Sequence, residues 1–284
     1  MAIIATGFFD GVHLGHRKVI DTLVSSAASR AEEAIVITFA KHPRAVLQQD
    51  ARQLRLLSSP REKDALLKSS GVDRVEMLEF SRSFAQMSAR QYLQEIIINR
   101  YAGTMLVLGY DNRLGSDRLV PEQIVPIAKE LGLQVQVVEP YLFGDVAVSS
   151  TKIREALCAG DAKLAAQMLN RPYSLSGVVV GGKQLGRKLG FPTANMNLYD
   201  PLKIYPKRGA YISRVLFEDR SFYGMTNVGD IIETHIFDFS EDIYGLDIEV
   251  QFLERLRDEK RFDSIDALKE QLAIDKENCR RIIG

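Results

Sequence analysis

Two histidines three positions apart, His13 and His16, stand inside the stretch Thr6-Gly7-Phe8-Phe9-Asp10-Gly11-Val12-His13-Leu14-Gly15-His16. The apolar run Ile3-Ile4-Ala5 before it reads as a buried strand. From Arg17 to Arg30 after it, Val19, Ile20, Leu23 and Val24 recur at helical spacing. The stretch is therefore a turn between a first strand and a first helix, and ligands bind at such turns in open α/β sheets. The helix amino terminus offers unpaired N–H groups and the positive end of a dipole, both suited to a phosphate. Gly7, Gly11 and Gly15 let backbone approach a ligand closely. Imidazoles at this spacing can share one side of a helix start.

Other stretches carry complementary chemistry. Ala34 to Phe39 is a β-branched run that reads as a second buried parallel strand, and it ends in Ala40-Lys41-His42-Pro43-Arg44, a base with two cations beside the first turn. Met105 to Leu108 is a short strand leading into the polar loop Gly109-Tyr110-Asp111-Asn112-Arg113-Leu114-Gly115-Ser116-Asp117-Arg118. Val148-Ser149-Ser150-Thr151-Lys152-Ile153-Arg154 opens a helix with a hydroxyl cap. Hydroxyls, backbone N–H groups and an Arg fork at a helix start could hold the negative charge of a phosphate. Gly181-Gly182-Lys183-Gln184-Leu185-Gly186-Arg187-Lys188 almost spells a nucleotide-binding P-loop, but Arg187 and Lys188 stand where Lys and Ser or Thr are required, and no βαβ unit surrounds it. In the Pro192-Thr193-Ala194-Asn195 that follows, Thr193 and Asn195 supply hard oxygens, and two positions apart on a strand they face the same way. Glu233-Thr234-His235-Ile236-Phe237-Asp238-Phe239 opens on a carboxylate and carries the fourth histidine.

The elements that must position these residues fall into two groups. Up to Leu169, strand-like runs (Val72 to Phe80, Leu133 to Val138) alternate with helical ones: a start at Ser58-Ser59-Pro60, then Arg90 to Tyr101 and Ala156 to Leu169. After Asn170-Arg171-Pro172 the period changes. Tyr173 to Val180, Ala210 to Phe217, Ser221 to Val228, Glu233 to Phe239 and Leu246 to Arg255 are short β-rich segments, which suggests a small antiparallel barrel. Asp263 to Ile283 reads as one closing helix with Leu268, Leu272 and Ile282 inward. Two domains are expected, residues 1–171 and 172–284.

Composition is consistent with this. The 284 residues allow two cores, and the 46% apolar and 26% charged fractions are those of an ordinary globular protein. A formal net charge of zero argues against a nucleic-acid surface or a polybasic membrane patch. No apolar run approaches the roughly 20 residues of a membrane span, and the start lacks signal-peptide regions, so a cytoplasmic location is expected. Cys158 and Cys279 have no metal-ligand spacing.

The residues Gly7 to His16 resemble the His-x-Gly-His signature of α/β nucleotidyltransferases, and the flanking Phe-Asp-Gly-Val-His narrows this to the bacterial bifunctional riboflavin kinase/FAD synthetase family. Ser150 to Arg154, the glycine- and base-rich segment ending in Pro-Thr-Ala-Asn, and the stretch around Glu233 continue the resemblance over nearly the whole chain. It implies an α/β nucleotidyltransferase-type domain with a Rossmann-like parallel sheet, then a small antiparallel β-barrel with a C-terminal helix. It implies ATP, riboflavin, FMN and FAD as substrates and products, with Mg2+, and no nucleic-acid or membrane partner. For adenylyl transfer it implies His13, His16 and Arg154 as the groups that stabilise phosphate charge, Gly7, Phe8, Asp10, Gly15, Ser150 and Thr151 around ATP, and His42, Asp111, Asn112 and Arg118 around the flavin. For phosphorylation it implies Glu233 as base, Gly181, Lys183, Gly186 and Pro192 around ATP, Thr193 and Asn195 on the metal, and Arg257 and Phe262 at the flavin.

The sequence departs from the family at two places. Asn112 and Leu114 stand where aromatics are usual, and only Asp230, Ile231 and Ile232 separate Gly229 from Glu233, where the family has a longer connection containing Arg-Pro-Thr. The short connection leaves open an alternative, an FMN adenylyltransferase whose barrel only binds flavin. An RNA-binding barrel on an inactive nucleotide fold is disfavoured by the zero net charge and the intact histidine motif.

Overall fold

Strand β1 (Ala2–Thr6) is buried along its whole length, as a run covered on both faces of a parallel sheet must be. In the computed structural model, which describes residues 1–47, 54–182 and 185–283, β1 is the centre of a five-stranded parallel sheet. Its neighbours are β2 (Glu33–Phe39) and β4 (Gly103–Gly109), with β3 (Arg74–Leu78) and β5 (Gln134–Val138) outside them in the order β3-β2-β1-β4-β5. The order reverses between β1 and β4, and the carboxyl ends of these two strands flank the crevice where such sheets bind ligands.

Alternate residues of β1 feed two cores. Ile3 and Ala5 pack with Val19, Ile20 and Leu23 of α1 (Leu14–Arg30). Ala2 and Ile4 pack with Tyr92, Leu93 and Ile97, which lie on a wide-turned helical segment, Tyr92–Arg100, that continues the short helix Ala89–Gln91. Helix Pro60–Lys68 begins with a capping box between Ser59 and Glu62, as the Ser-Ser-Pro start implies.

Contacts divide the chain into Met1–Ser150 and Thr151–Gly284. The helical stretch expected from Ala156 to Leu169 is two helices, Ser150–Ala159 and Ala162–Leu169, parted at Gly160, whose φ of +90° favours glycine. The second unit is built around a closed barrel. Its strands are Tyr173–Val180, Ala194–Leu198, Gly209–Phe217, Arg220–Val228, Ile232–Ile236 and Asp247–Asp258. The strand expected to reach Phe239 stops at Ile236, because the chain turns at Asp238, whose φ is 52°.

The closing helix, Ile265–Ile283, lays Leu268, Leu272 and Cys279 against Ile212, Met225 and Phe237 of the barrel. One inward assignment is corrected. Ile282 is 49% exposed, and Ile283 packs toward the barrel in its place.

Candidate functional site

The turn after β1 has unusual backbone. Phe9 and Val12 adopt the left-handed conformation, with φ of 53° and 41°, a strained state for a β-branched residue. Side chains from distant segments hold it. The Asp10 carboxylate accepts from the N–H groups of Leu57 (3.0 Å) and Ser58 (3.1 Å) and from Ser58 Oγ (3.3 Å). Gly11 N–H donates to Ser58 Oγ at 2.9 Å. Thr38 Oγ1 and Lys63 Nζ donate to the Phe8 carbonyl at 3.1 and 3.0 Å. Asn112 Nδ2 donates to the Thr6 carbonyl and Ser150 Oγ to the Asp10 carbonyl, both at 2.9 Å.

The two imidazoles lie side by side at the start of α1, stacked with centroids 3.6 Å apart and planes 18° from parallel. His13 Nδ1 caps the helix by accepting from His16 N–H at 3.3 Å. That bond puts the lone pair on Nδ1 and leaves Nε2 to carry the proton in the neutral ring. Gly15 is needed here, since a Cβ would come within 3.1 Å of the His13 ring and 3.2 Å of the Val148 carbonyl. Burial, then His13, then Lys63 hold the His16 pKa well below its ordinary value. His16 is thus neutral at pH 7, and its buried Nδ1 has no hydrogen-bond partner among the described residues. A neutral His16 ring can offer an anion an N–H, but not a full charge.

The remaining expected residues divide. His42 lies edge-on against the Phe8 ring, with centroids 4.4 Å apart. Asn112 faces inward onto Thr6, and Leu114 is buried in the core, while Asp111 and Arg118 lie exposed on the loop. Gly115 gives that loop its shape, with φ of +77° and no room for a Cβ beside Ala89 N. Asp10 is turned to the Leu57–Ser58 backbone, which makes it a clamp of the turn. Thr151 and Arg154 follow Ser150 on the first turns of the same helix. Sequence reasoning missed Lys63, which it read as part of a helix start. The available signal was a lysine four positions before the buried Leu67, on the same helix face.

In the barrel, two cavities meet at Thr193. One, of about 270 Å³, is lined by Val179, Arg187, Pro192, Thr193, Asn195 and Tyr244 among others. The other, of about 330 Å³, includes Thr193, Asn227, Glu233, Arg257, Phe262 and Leu272 in its wall. Strand register places the polar groups, because Glu233 is paired with Asn195 on one side and Asn227 on the other, and directly opposed residues project to the same face. A Cβ at Gly182 would sit 2.0 Å from Asn195 Nδ2, so a larger residue there would displace the Asn195 amide. Gly181 is exposed, Gly186 lines the larger cavity, and Lys183 lies outside the described residues.

The larger cavity has its own electrostatics. Arg257 is paired with Asp275 of the closing helix, Nε donating at 2.9 Å and Nη2 at 2.7 Å, and its guanidinium lies 5.9 Å from the Phe262 ring centre. His235 shares a hydrogen bond of 2.8 Å between Nδ1 and the Pro192 carbonyl. Burial lowers its pKa, outweighing that bond.

The FAD synthetase family profile matches residues 1–152, and the riboflavin kinase profile matches residues 169–283. The bifunctional riboflavin kinase/FMN adenylyltransferase of Escherichia coli is 32% identical, covering 99% of this chain and 93% of the relative. The chain belongs to the bifunctional riboflavin kinase/FMN adenylyltransferase family. The Bacillus subtilis member is also 32% identical, over 99% of this chain and 92% of its own length. A solved structure described as a macrolide-efflux protein from Streptococcus pneumoniae superposes with a TM-score of 0.92 at 32% identity, covering 98% of this chain and 93% of its own. No helix among the described residues is long and apolar enough to cross a membrane. Within the riboflavin kinase match, the short connection is a tight hairpin. Val228 pairs with Ile232, and Gly229 N–H donates to the Ile231 carbonyl at 3.3 Å.

Proposed function

We propose that this chain converts riboflavin to FMN and FMN to FAD, consuming one ATP at each step. In the barrel, the terminal ribityl hydroxyl attacks the γ-phosphorus of ATP, Glu233 takes the hydroxyl proton, and ADP leaves. In the sheet unit, an oxygen of the FMN phosphate attacks the α-phosphorus of a second ATP, and pyrophosphate leaves without a covalent enzyme intermediate. His13 and His16 donate N–H groups to the phosphates, and Arg154, on the helix that begins at Ser150, is assigned the departing charge by the motif resemblance alone. The observation that carries this reading is the coexistence in one chain of the stacked histidine turn and of two barrel cavities meeting at Thr193.

Magnesium fits the barrel by its donor set. Among the described residues, no three carboxylate, imidazole or thiol groups converge as a metal site. Neutral hard oxygens such as the Thr193 hydroxyl and the Asn195 amide suit a cation that takes its other ligands from phosphates and water. When bound with ATP, the cation would neutralise phosphate charge. Thr193 and Asn195 would hold it, and Asn195 is paired across the strands with Glu233.

Purified protein given riboflavin, ATP and magnesium, with products separated over time, should show FMN first and FAD second. His16→Ala should stop the series at FMN. Glu233→Gln should block FMN formation, by roughly 100-fold or more for the loss of a general base, and leave FMN-to-FAD conversion intact. Full FAD synthesis from riboflavin by both variants contradicts the assignment. The short hairpin at Gly229–Ile231 favours a second reading at one point, a barrel that holds flavin without phosphorylating it. FAD made from FMN but never from riboflavin would select that reading.

A further inference from the structure

Lys63 is 2% exposed and has no role in the steps above. Its ammonium donates to the Phe8 carbonyl at 3.0 Å and to the Phe39 carbonyl at 2.6 Å, and sits 3.8 Å from the centre of the Phe8 ring. Phe39 is the last residue of β2, and Phe8 lies just past the end of β1. A side chain present only to fill this space would be apolar, because burying an ammonium costs free energy that packing alone does not return. The residue behaves as that cost implies: burial lowers its pKa to about 8, with Asp10 pulling the other way.

We propose that Lys63 is a positioning residue for adenylyl transfer, whose ammonium ties the ends of β1 and β2 together beneath the His13–His16 turn. The inference rests on the reading of that turn as the FAD-forming site. A trans peptide sets its C=O and N–H on opposite sides. Fixing the Phe8 carbonyl on Lys63 and Thr38 therefore turns the Phe9 N–H the other way, to the side on which we seat the phosphate. The same charge helps keep His16 neutral, so that its ring donates an N–H without competing for a proton. The ionisable groups facing Lys63 are Asp10 of the turn and His16 of α1, with His42 across the Phe8 ring; on its own helix, Glu62 is engaged by the Ser59 backbone.

Two signs distinguish this role from simple structural support. A lysine whose folded pKa lies below its ordinary value destabilises the fold while charged. That penalty is fully present below about 8 and is gone above the ordinary 10.5. The wild type should therefore gain stability relative to Lys63→Met as pH rises from about 8 to about 10. FMN-to-FAD turnover should fall across the same window, while riboflavin phosphorylation in the same preparation stays flat. A lysine that served only the fold would lose activity and stability together.

The test is a pH series of both reactions on the full chain, with wild type, Lys63→Met and Lys63→Arg. Lys63→Met should lower the turnover of FMN to FAD by about 100-fold, the loss typical of a misplaced site, leave riboflavin phosphorylation unchanged, and raise the His16 pKa followed by proton NMR. Lys63→Arg should move the alkaline fall out of range. FAD formation by Lys63→Met within threefold of wild type, or wild-type turnover flat to pH 9.5, overturns the inference. Should Lys63→Met not fold, the wild-type profile decides alone. If wild type makes no FAD at any pH, the reading of the site itself fails.

Discussion

Around His13 and His16, backbone in sparsely populated conformations is clamped by side chains from distant segments: Asp10 on Leu57 and Ser58, Lys63 on Phe8 and Phe39, Asn112 on Thr6, Ser150 on Asp10. In the barrel, regular strand register does the equivalent work, bringing Asn195, Glu233 and Asn227 into line by backbone pairing. Irregular backbone satisfies few of its own hydrogen bonds, so each clamp also satisfies a buried polar group that would otherwise be left unpaired. The contrast predicts that one polar deletion at the turn costs more than one at the barrel.

Asp10→Ala should show the largest effect. It removes a buried acceptor serving two backbone N–H groups and a hydroxyl. Charged acceptors contribute about 1.5–3 kcal/mol each, and stranded donors add their own penalty, so a loss of about 4 kcal/mol is expected. The measurement is the urea midpoint for loss of FMN-to-FAD activity, read beside the midpoint for riboflavin phosphorylation. Equal shifts of the two midpoints would break the contrast.

The same distinction explains what could be read from the chain alone. The strands of the sheet, the closed barrel and the histidine turn were legible because periodicity and motif spacing are local. Lys63 and Asp275 were not. Their partners are far away in sequence, Phe8 and Phe39 for one and Arg257 for the other, and no local pattern records which distant carbonyl or guanidinium a buried charge will meet. Asn112 is assigned to the flavin by the resemblance of its loop, at a position where the loop departs from the family, and a loop's sequence does not state which way an amide turns. Gly160 was passed over inside a helical pattern that tolerates one glycine.

Asp275→Asn should have an intermediate effect. It weakens the charge-assisted contacts to Arg257, while the side-chain oxygen that remains still accepts from Gln271 Nε2, which lies 2.9 Å from the carboxylate. Breaking a fully buried ion pair costs about 3–5 kcal/mol. Arg257 keeps 22% of its side chain exposed, so a loss of about 2 kcal/mol is expected in the unfolding of the barrel unit. Arg257 and Asp275 both line the larger cavity, so KM for riboflavin should rise while FMN-to-FAD turnover stays unchanged. An unchanged KM with the same loss of stability would reduce the pair to a fastening of the closing helix.

Thr226→Val should have the smallest effect, and it probes register most directly. Thr226 Oγ1 lies 2.7 Å from Ser213 Oγ and 2.9 Å from Thr234 Oγ1, a row of buried hydroxyls across three neighbouring strands. Valine keeps the shape and removes one hydroxyl, so Ser213 and Thr234 each lose a partner. Hydroxyls rotate to find other acceptors, which holds the expected loss to about 1 kcal/mol. The backbone ladder from Gly209–Val228 to Phe217–Arg220 fixes the strands without the row. Riboflavin phosphorylation should therefore keep its kcat within about twofold, since an intact ladder leaves Glu233 where it was. A tenfold fall in kcat would mean that the hydroxyls, and not register, hold Glu233 in place, and the barrel would then be clamped in the same way as the turn.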